Sequence, residues 1–235
     1  MLDSLKKAVC QANLALREYN LAPFTWGNVS GIDISEGLVV IKPSGVAYDA
    51  LQPEDMVVVR LSDGTPVEGK YKPSTDTETH LELYRSFKGI GGVAHTHSLY
   101  ATAFAQARLT IPCYGTTHAD YFFGSIPCTR ELSDQEIDGA YEKETGCVIA
   151  ETFCGTDPLK MPGVLVAGHG PFTWGETAVQ AALNAAYLEE VARLAWMTSL
   201  LAQQGVCISQ HLLERHFFRK HGSTAYYGQD KEDKE

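Results

Sequence analysis

Residues 92–107 read GVAHTHSLYATAFAQA. The first part, Gly92 to His97, is a short apolar run ending in two histidines one residue apart, and it reads as a strand. The second, Leu99 to Ala107, reads as a short helix. A strand running almost directly into a helix sets the pattern of an α/β chain. Residues i and i+2 of a strand point to one face, so His95 and His97 are expected to project side by side from its end. One cation could take a nitrogen from each, at roughly 2.0–2.1 Å for zinc. A third histidine, His169, closes another strand-like run, Val164 to Ala167. Three histidines at strand ends, with a fourth position open, suit a catalytic metal better than a structural one.

Outward from this stretch, helices and strands alternate. Leu5, Val9, Ala12, Leu16 and Tyr19 form a helical stripe. Leu38 to Lys42 and Met56 to Arg60 are strand-like, each bounded by Gly or Pro. Thr77 to Phe87 reads as a helix, with Asp76 or Thr77 at its start. Ser133 with Glu136 forms a capping box that opens another helix. Thr177 to Gln204 reads as a long helix with Val179, Leu183, Ala186, Val191, Leu194, Met197 and Leu201 largely on one side, and Leu212 to Lys220 as a last helix stopped by Gly222. The short links predict an antiparallel or mixed sheet covered by helices.

The chain has 235 residues, 44% hydrophobic and 20% charged, which suits one compact domain or at most two small ones. The charged run Asp230 to Glu235 reads as a disordered tail after a domain spanning residues 1–229. The net charge is −10 with no Lys/Arg run, which argues against a nucleic-acid partner. The apolar stretches fall short of a membrane span. The first residues, to Tyr19, are amphipathic and mixed in charge, unlike a secretory leader. The six cysteines include no C-x-x-C pair and suit free thiols in a reducing cytoplasm.

Three short polar turns carry hydroxyl and backbone N–H donors: Gly27-Asn28-Val29-Ser30, Lys42-Pro43-Ser44-Gly45 and Lys72-Pro73-Ser74-Thr75-Asp76. The third leads into a helix N-terminus. Such turns are equipped to bind a phosphate, although each alone also suits an ordinary turn. Neither G-x-G-x-x-G nor a Walker loop is present. Asp120, in Thr116-Thr117-His118-Ala119-Asp120-Tyr121, suits either a general acid/base or a turn aspartate. The C-terminal stretch His216 to Gly222, followed by Tyr226-Tyr227-Gly228, is aromatic and basic, as expected of a segment packed against something, a neighbouring subunit being one option. Tyr227 there could donate a proton if a nearby cation lowered its pKa from about 10.

These motifs, in this order, resemble the class II aldolase/adducin family, and within it the branch that epimerises L-ribulose 5-phosphate at C4. The resemblance runs from Leu2 to about Gln229. It rests on Thr25 to Ser30, Ile41 to Val46, Lys72 to Thr77, Gly91 to Ser98, Gly115 to Tyr121, Gly168 to Phe172, and Lys220 to Gly222 with Tyr226 to Gln229. It implies a single three-layer α/β/α domain, with a mostly antiparallel sheet flanked by helices on both faces, assembled as a cytoplasmic homotetramer. It implies that His95, His97 and His169, with Asp76 beside them, hold a divalent metal: Zn2+ first, Mn2+ or Co2+ as alternatives. Gly27, Asn28, Ser44, Gly45, Ser74, Thr75 and Asp76, with Lys42 nearby, match the site of a phosphorylated ketopentose. Asp120 and Tyr227 match an acid/base pair, Tyr227 coming from the adjacent subunit, and His216 and Arg219 match residues reaching that shared site. Thr75 departs from the family's common serine but keeps the hydroxyl.

The implied reaction is retro-aldol cleavage of the C3–C4 bond and re-addition on the other face, giving D-xylulose 5-phosphate. Arabinose and ascorbate or xylulose catabolism both use it. Two other readings remain: an aldolase resembling those for L-fuculose phosphate, and a non-catalytic adducin-like binding module. The aldolases carry a glutamate where this chain has Asp76, one methylene shorter.

Overall fold

The structure, a computed structural model, describes residues 2–202, 206–222 and 225–226. The tail from residue 230 and Tyr227 lie outside the described residues.

Hydrophobic alternation builds the sheet. In β2 (Leu38–Ile41) and β3 (Val57–Arg60), Val39, Ile41, Val57 and Val59 enter one core while Val40 and Val58 enter the other. In β5 (Gly92–His95), Val93 and Ala94 divide the same way. Period-two burial on both faces requires cover on both sides. The sheet gains β1 (Asn28–Asp33), β4 (Pro66–Glu68), β6 (Gly163–Leu165) and β7 (Pro171–Gly175), in the order β4-β3-β2-β1-β5-β7-β6. Every neighbouring pair is antiparallel. The expected single-domain, helix-flanked α/β fold is therefore present, and the mixed alternative is not.

On one face lie α1 (Asp3–Glu18) and the start of α7 (Ala178–Leu201), through Val9, Leu16, Ala178, Ala181 and Ala185. On the other lie α2 (Thr77–Ser86), α3 (Leu99–Ala107) and α6 (Tyr141–Thr152), with the later turns of α7. There Phe87, Phe153 and Trp174 pack as a trio with ring centroids 4.9–5.3 Å apart.

Gly31, Gly92 and Gly175 stand in register across β1, β5 and β7. Together they form a trough into which the first turn of α7 settles: a Cβ on Gly92 would lie 2.4 Å from both Thr177 O and Ala178 N. Thr177 caps that turn through its hydroxyl, which accepts from Gln180 N–H at 3.1 Å.

Several expected elements change. α7 runs from Ala178 to Leu201, not from Thr177 to Gln204, and its buried stripe is mostly alanine. Val179, Leu194, Met197 and Leu201 are exposed, whereas Val191 of the expected stripe is buried; at the first turn the glycine trough leaves room only for alanine. Strand β5 stops at His95, so His97 lies beyond it, and β6 stops at Leu165. The Ser133–Glu136 capping box opens only α5 (Asp134–Asp138), and α6 follows it. The last helix, α8, spans Gln210–Phe218. The first polar turn ends sooner than expected: from Asn28 the chain is already β1, and Ser30 is buried. Tyr19 falls outside α1 and is exposed. All six cysteines are free. Among the described residues no helix is long and apolar enough to cross a membrane.

Candidate active site

The centre of the sheet brings the three histidines together. In register, Asn28 of β1 faces His95 of β5, and His95 faces Phe172 of β7. The His95 ring stacks on Phe172 at 4.2 Å and 19°, and its Nδ1–H donates to Pro171 O at 2.9 Å. That bond leaves Nε2 with the lone pair. His97 follows just past the strand end, its Nε2 3.1 Å from that of His95. His169 arrives from the β6–β7 turn, where Gly168 takes φ +73°. Its ring centroid lies 4.7 Å from that of His95 and 5.2 Å from that of His97.

One nitrogen from each histidine lies within 4.8 Å of the others. Burial pushes the His97 imidazole down to about 4 and that of His169 to about 3, so both are neutral at pH 7. The buried His169 Nδ1 has no hydrogen-bond partner. Converging imidazoles, one already oriented by a backbone carbonyl, form a donor set that fits a divalent transition metal with an open position. Asp76, at the N-terminus of α2, stands beside this cluster but is not in its donor set. Asn28 Nδ2 donates to its Oδ2 at 2.5 Å, and Ser74 Oγ lies 3.5 Å from the same oxygen. Burial opposes its charge, but His95, His80, Asn28 and His169 outweigh that and lower its pKa.

The other two polar turns pair with each other. Ser44 N–H donates to Lys72 O and Ser74 N–H to Lys42 O, both at 3.0 Å. With Gly27 and Asn28 they surround a cavity of about 390 Å³ that reaches Asp76, His97 and His169. Gly27 has φ +78°, and a Cβ there would lie 2.7 Å from His95 O, so the turn presses against the histidine strand. Lys42 is buried in the cavity wall with its ammonium 4.9 Å over the Tyr48 ring and 3.3 Å from Pro43 O. Burial pulls its pKa down to about 8. Gly27, Asn28, Lys42, Ser44, Gly45, Ser74, Thr75 and Asp76 thus gather in one place with two of the histidines.

Asp120, His216 and Arg219 gather in another. Asp120 ends α4 (Thr116–Ala119), against which α8 packs. Arg219 donates to both carboxylate oxygens, at 3.0 and 2.7 Å, His216 Nδ1 lies 3.0 Å away, and Lys220 Nζ lies 3.4 Å away. Burial raises the Asp120 pKa, but Arg219 and His216 outweigh it and the net shift is downward, so the group is an oriented carboxylate. These three residues do not line the histidine cavity. Tyr227 lies outside the described residues.

Sequence reasoning missed Trp26, which tilts against His97 at 5.7 Å, and Tyr141, whose ring lies 6.4 Å from His169. It also missed His80, fully buried one helical turn after Asp76 and pushed by burial down to about 3. The i, i+4 spacing of Asp76 and His80 was the available signal.

A family model described as the class II aldolase and adducin N-terminal domain matches residues 7–196. Among solved structures, an L-fuculose 1-phosphate aldolase is similar at TM-score 0.77 and 22% identity, covering 92% of this chain and 95% of its own. An L-fuculose-1-phosphate aldolase from Thermus thermophilus is similar at 0.68 and 24%, covering 87% of this chain and 100% of its own. A sugar-phosphate aldolase from Thermotoga maritima is similar at 0.68 and 16%, covering 86% and 97%.

Proposed function

The chain belongs to the class II aldolase and adducin family, and we propose that it is the family's metal-dependent 4-epimerase of L-ribulose 5-phosphate. One observation carries the sugar-phosphate part: a single cavity joins the imidazole cluster to a cradle of hydroxyls and the Lys42 ammonium. The cradle suits a phosphate and the cluster a cation, with room between them for a short sugar.

The reaction class follows from where bonds can break. C4 of a 2-ketose carries no acidic hydrogen, so inversion there needs cleavage and re-formation of the C3–C4 bond. A bound divalent cation supplies Lewis acidity toward the carbonyl oxygen. Ser44, Ser74, Thr75 and Lys42 keep the phosphorylated fragment from leaving while it turns. Asp120, ionised and oriented by Arg219 and His216, and Tyr227 exchange the C4 hydroxyl proton on opposite faces.

Epimerase is favoured over aldolase by the state of Asp76. An aldolase must protonate the enediolate carbon, whereas an epimerase must leave it unprotonated for re-addition. Asp76 is short, and its Oδ2 is tied to the Asn28 amide, so it is held back from that carbon.

Because the Asp120 cluster lies outside the cavity, we place it at the cavity of a second copy, in a homotetramer. Exposed Phe24, Trp26 and Leu99 near His97 offer apolar surface for that contact. Incubation of the metal-loaded protein with L-ribulose 5-phosphate tests the reading. D-xylulose 5-phosphate as product supports it; free dihydroxyacetone as main product favours the aldolase, and no turnover with no metal bound favours a binding module.

A further inference from the structure

His80 is fully buried in α2, and its Nδ1 lies 2.7 Å from Ser30 Oγ on β1. The same Ser30 oxygen lies 2.8 Å from the Tyr84 hydroxyl, one turn further along α2. A short polar chain thus crosses a core otherwise made of Leu81, Val93 and Phe172. At its other end His80 Nε2 is buried without a hydrogen-bond partner. Buried polar groups in native proteins are rarely left so, and an exception calls for a reason.

Asp76 is the neighbouring negative group, although no hydrogen bond joins it to His80 here. It lies four residues before His80, on the same side of the helix start, and it is the carboxylate that acts on the imidazole. A negative neighbour favours the tautomer with hydrogen on Nε2. Ser30 O–H then donates to Nδ1, and Tyr84 O–H to Ser30. Asn28 and Ser74 both approach Asp76 at Oδ2.

Asn28 and Ser30 lie on one face of β1, so their partners Asp76 and His80 are neighbours. We propose that His80 is a positioning residue whose Nε2–H, unpaired in this structure, draws the Asp76 carboxylate toward the cation cluster by charge–dipole attraction, with Ser30 and Tyr84 fixing its tautomer. This rests on reading Asp76 as a group beside the cation.

Three variants test it. His80→Gln keeps an N–H near the place of Nε2. His80→Asn keeps an amide only near the place of Nδ1. Ser30→Ala removes the tautomer's anchor. The measurement is Zn2+ affinity by competition with a chromophoric chelator, without substrate, alongside melting temperature, kcat and KM. His80→Asn should weaken Zn2+ binding about 10–100-fold. His80→Gln should recover most of that, Ser30→Ala should fall between them, and kcat should drop more than KM rises. A merely structural role lowers the melting temperature of both His80 variants alike, and unchanged or equal Zn2+ affinities would overturn the proposal. If His80→Asn does not fold, Ser30→Ala binding Zn2+ like the parent overturns it instead. A protein with the expected affinity series but no turnover of L-ribulose 5-phosphate refutes the proposed function alone.

Discussion

Replacing Gly92 by alanine should cost this protein a large part of its stability and disturb cation binding three residues away. The added Cβ would lie 2.4 Å from Thr177 O, 2.4 Å from Ala178 N and 2.5 Å from Ala178 Cα, where real contacts stay beyond 3.0 Å. All three are backbone atoms, so no rotamer change relieves the clash. The start of α7 must instead retreat by at least about 0.6 Å, in an interior packed like a crystal. Such a gap forfeits about a quarter or more of the dispersion well for each contact it opens. The affected contacts are those of Ala178, Ala181, Ala182 and Ala185 on the sheet. Overpacking typically costs about 1–3 kcal/mol, and an unyielding backbone puts this case at about 3 kcal/mol. For a chain of this size that is roughly 6–12 °C in Tm. Gly31→Ala provides the scale: its Cβ would meet Leu5 Cδ1 and Val9 Cγ2 at 2.9 Å, side-chain ends that can shift, so its loss should be about half or less. Urea unfolding at fixed Zn2+ and protein concentrations ranks the two. A Gly92→Ala variant within about 1 kcal/mol of the parent, or no worse than Gly31→Ala, would refute the trough as the reason for this glycine.

The remaining predictions concern the site. Asp76→Glu, one methylene longer, should release free dihydroxyacetone from L-ribulose 5-phosphate, detectable by a coupled dehydrogenase assay; none released counts against the role given to the short carboxylate. Lys42→Met should raise KM about 10–150-fold, the equivalent of one charge-assisted bond to phosphate, with kcat less affected. In the parent, that lysine is charged below about pH 8, so substrate affinity should be complete there and fall as pH rises through that value. Asp120→Asn should lose about 1–3 kcal/mol, between a surface ion pair and a buried one. Asp120 is shifted below its ordinary 3.8, so the stability it contributes is present above that pH and lost as pH falls through the folded value; the difference from the variant should shrink there in urea titrations. Chelation should lower Tm, since a cation at 100 times its Kd adds about 2.7 kcal/mol; an unchanged Tm would argue against the cluster as a metal site.

The histidine cluster was legible because its residues are rare, polar and placed after apolar runs. The turns around Ser44 and Ser74 were legible as donors, but their pairing depends on a bridge between Pro43 and Pro73 that no local pattern contains. Strand β1 was hidden because Asn28 and Ser30 point polar groups inward, toward Asp76 and His80, and erase the apolar alternation. Strand β7 was hidden because it opens on a proline and ends on a glycine. In α7 most of the large side chains drew attention to an exposed face, because two of the three glycines that require alanine at its first turn, Gly31 and Gly92, lie on strands distant in sequence. Asp120 was legible as a candidate, but its separation from the histidines is a property of the tertiary fold alone.

The opposed row Asn28, His95 and Phe172 has a consequence for how the molecule matures. His95 and the Pro171 carbonyl that orients it are 76 positions apart, so nothing local assembles the donor set. A slip of one residue between β5 and β7 would turn His95 away from Phe172 and from the turn that carries His169. Strand alignment and cation affinity are then one property: only the correct pairing presents three imidazoles to one point. A divalent ion present during refolding would act as a proofreader, favouring chains whose central strands have met in the right phase.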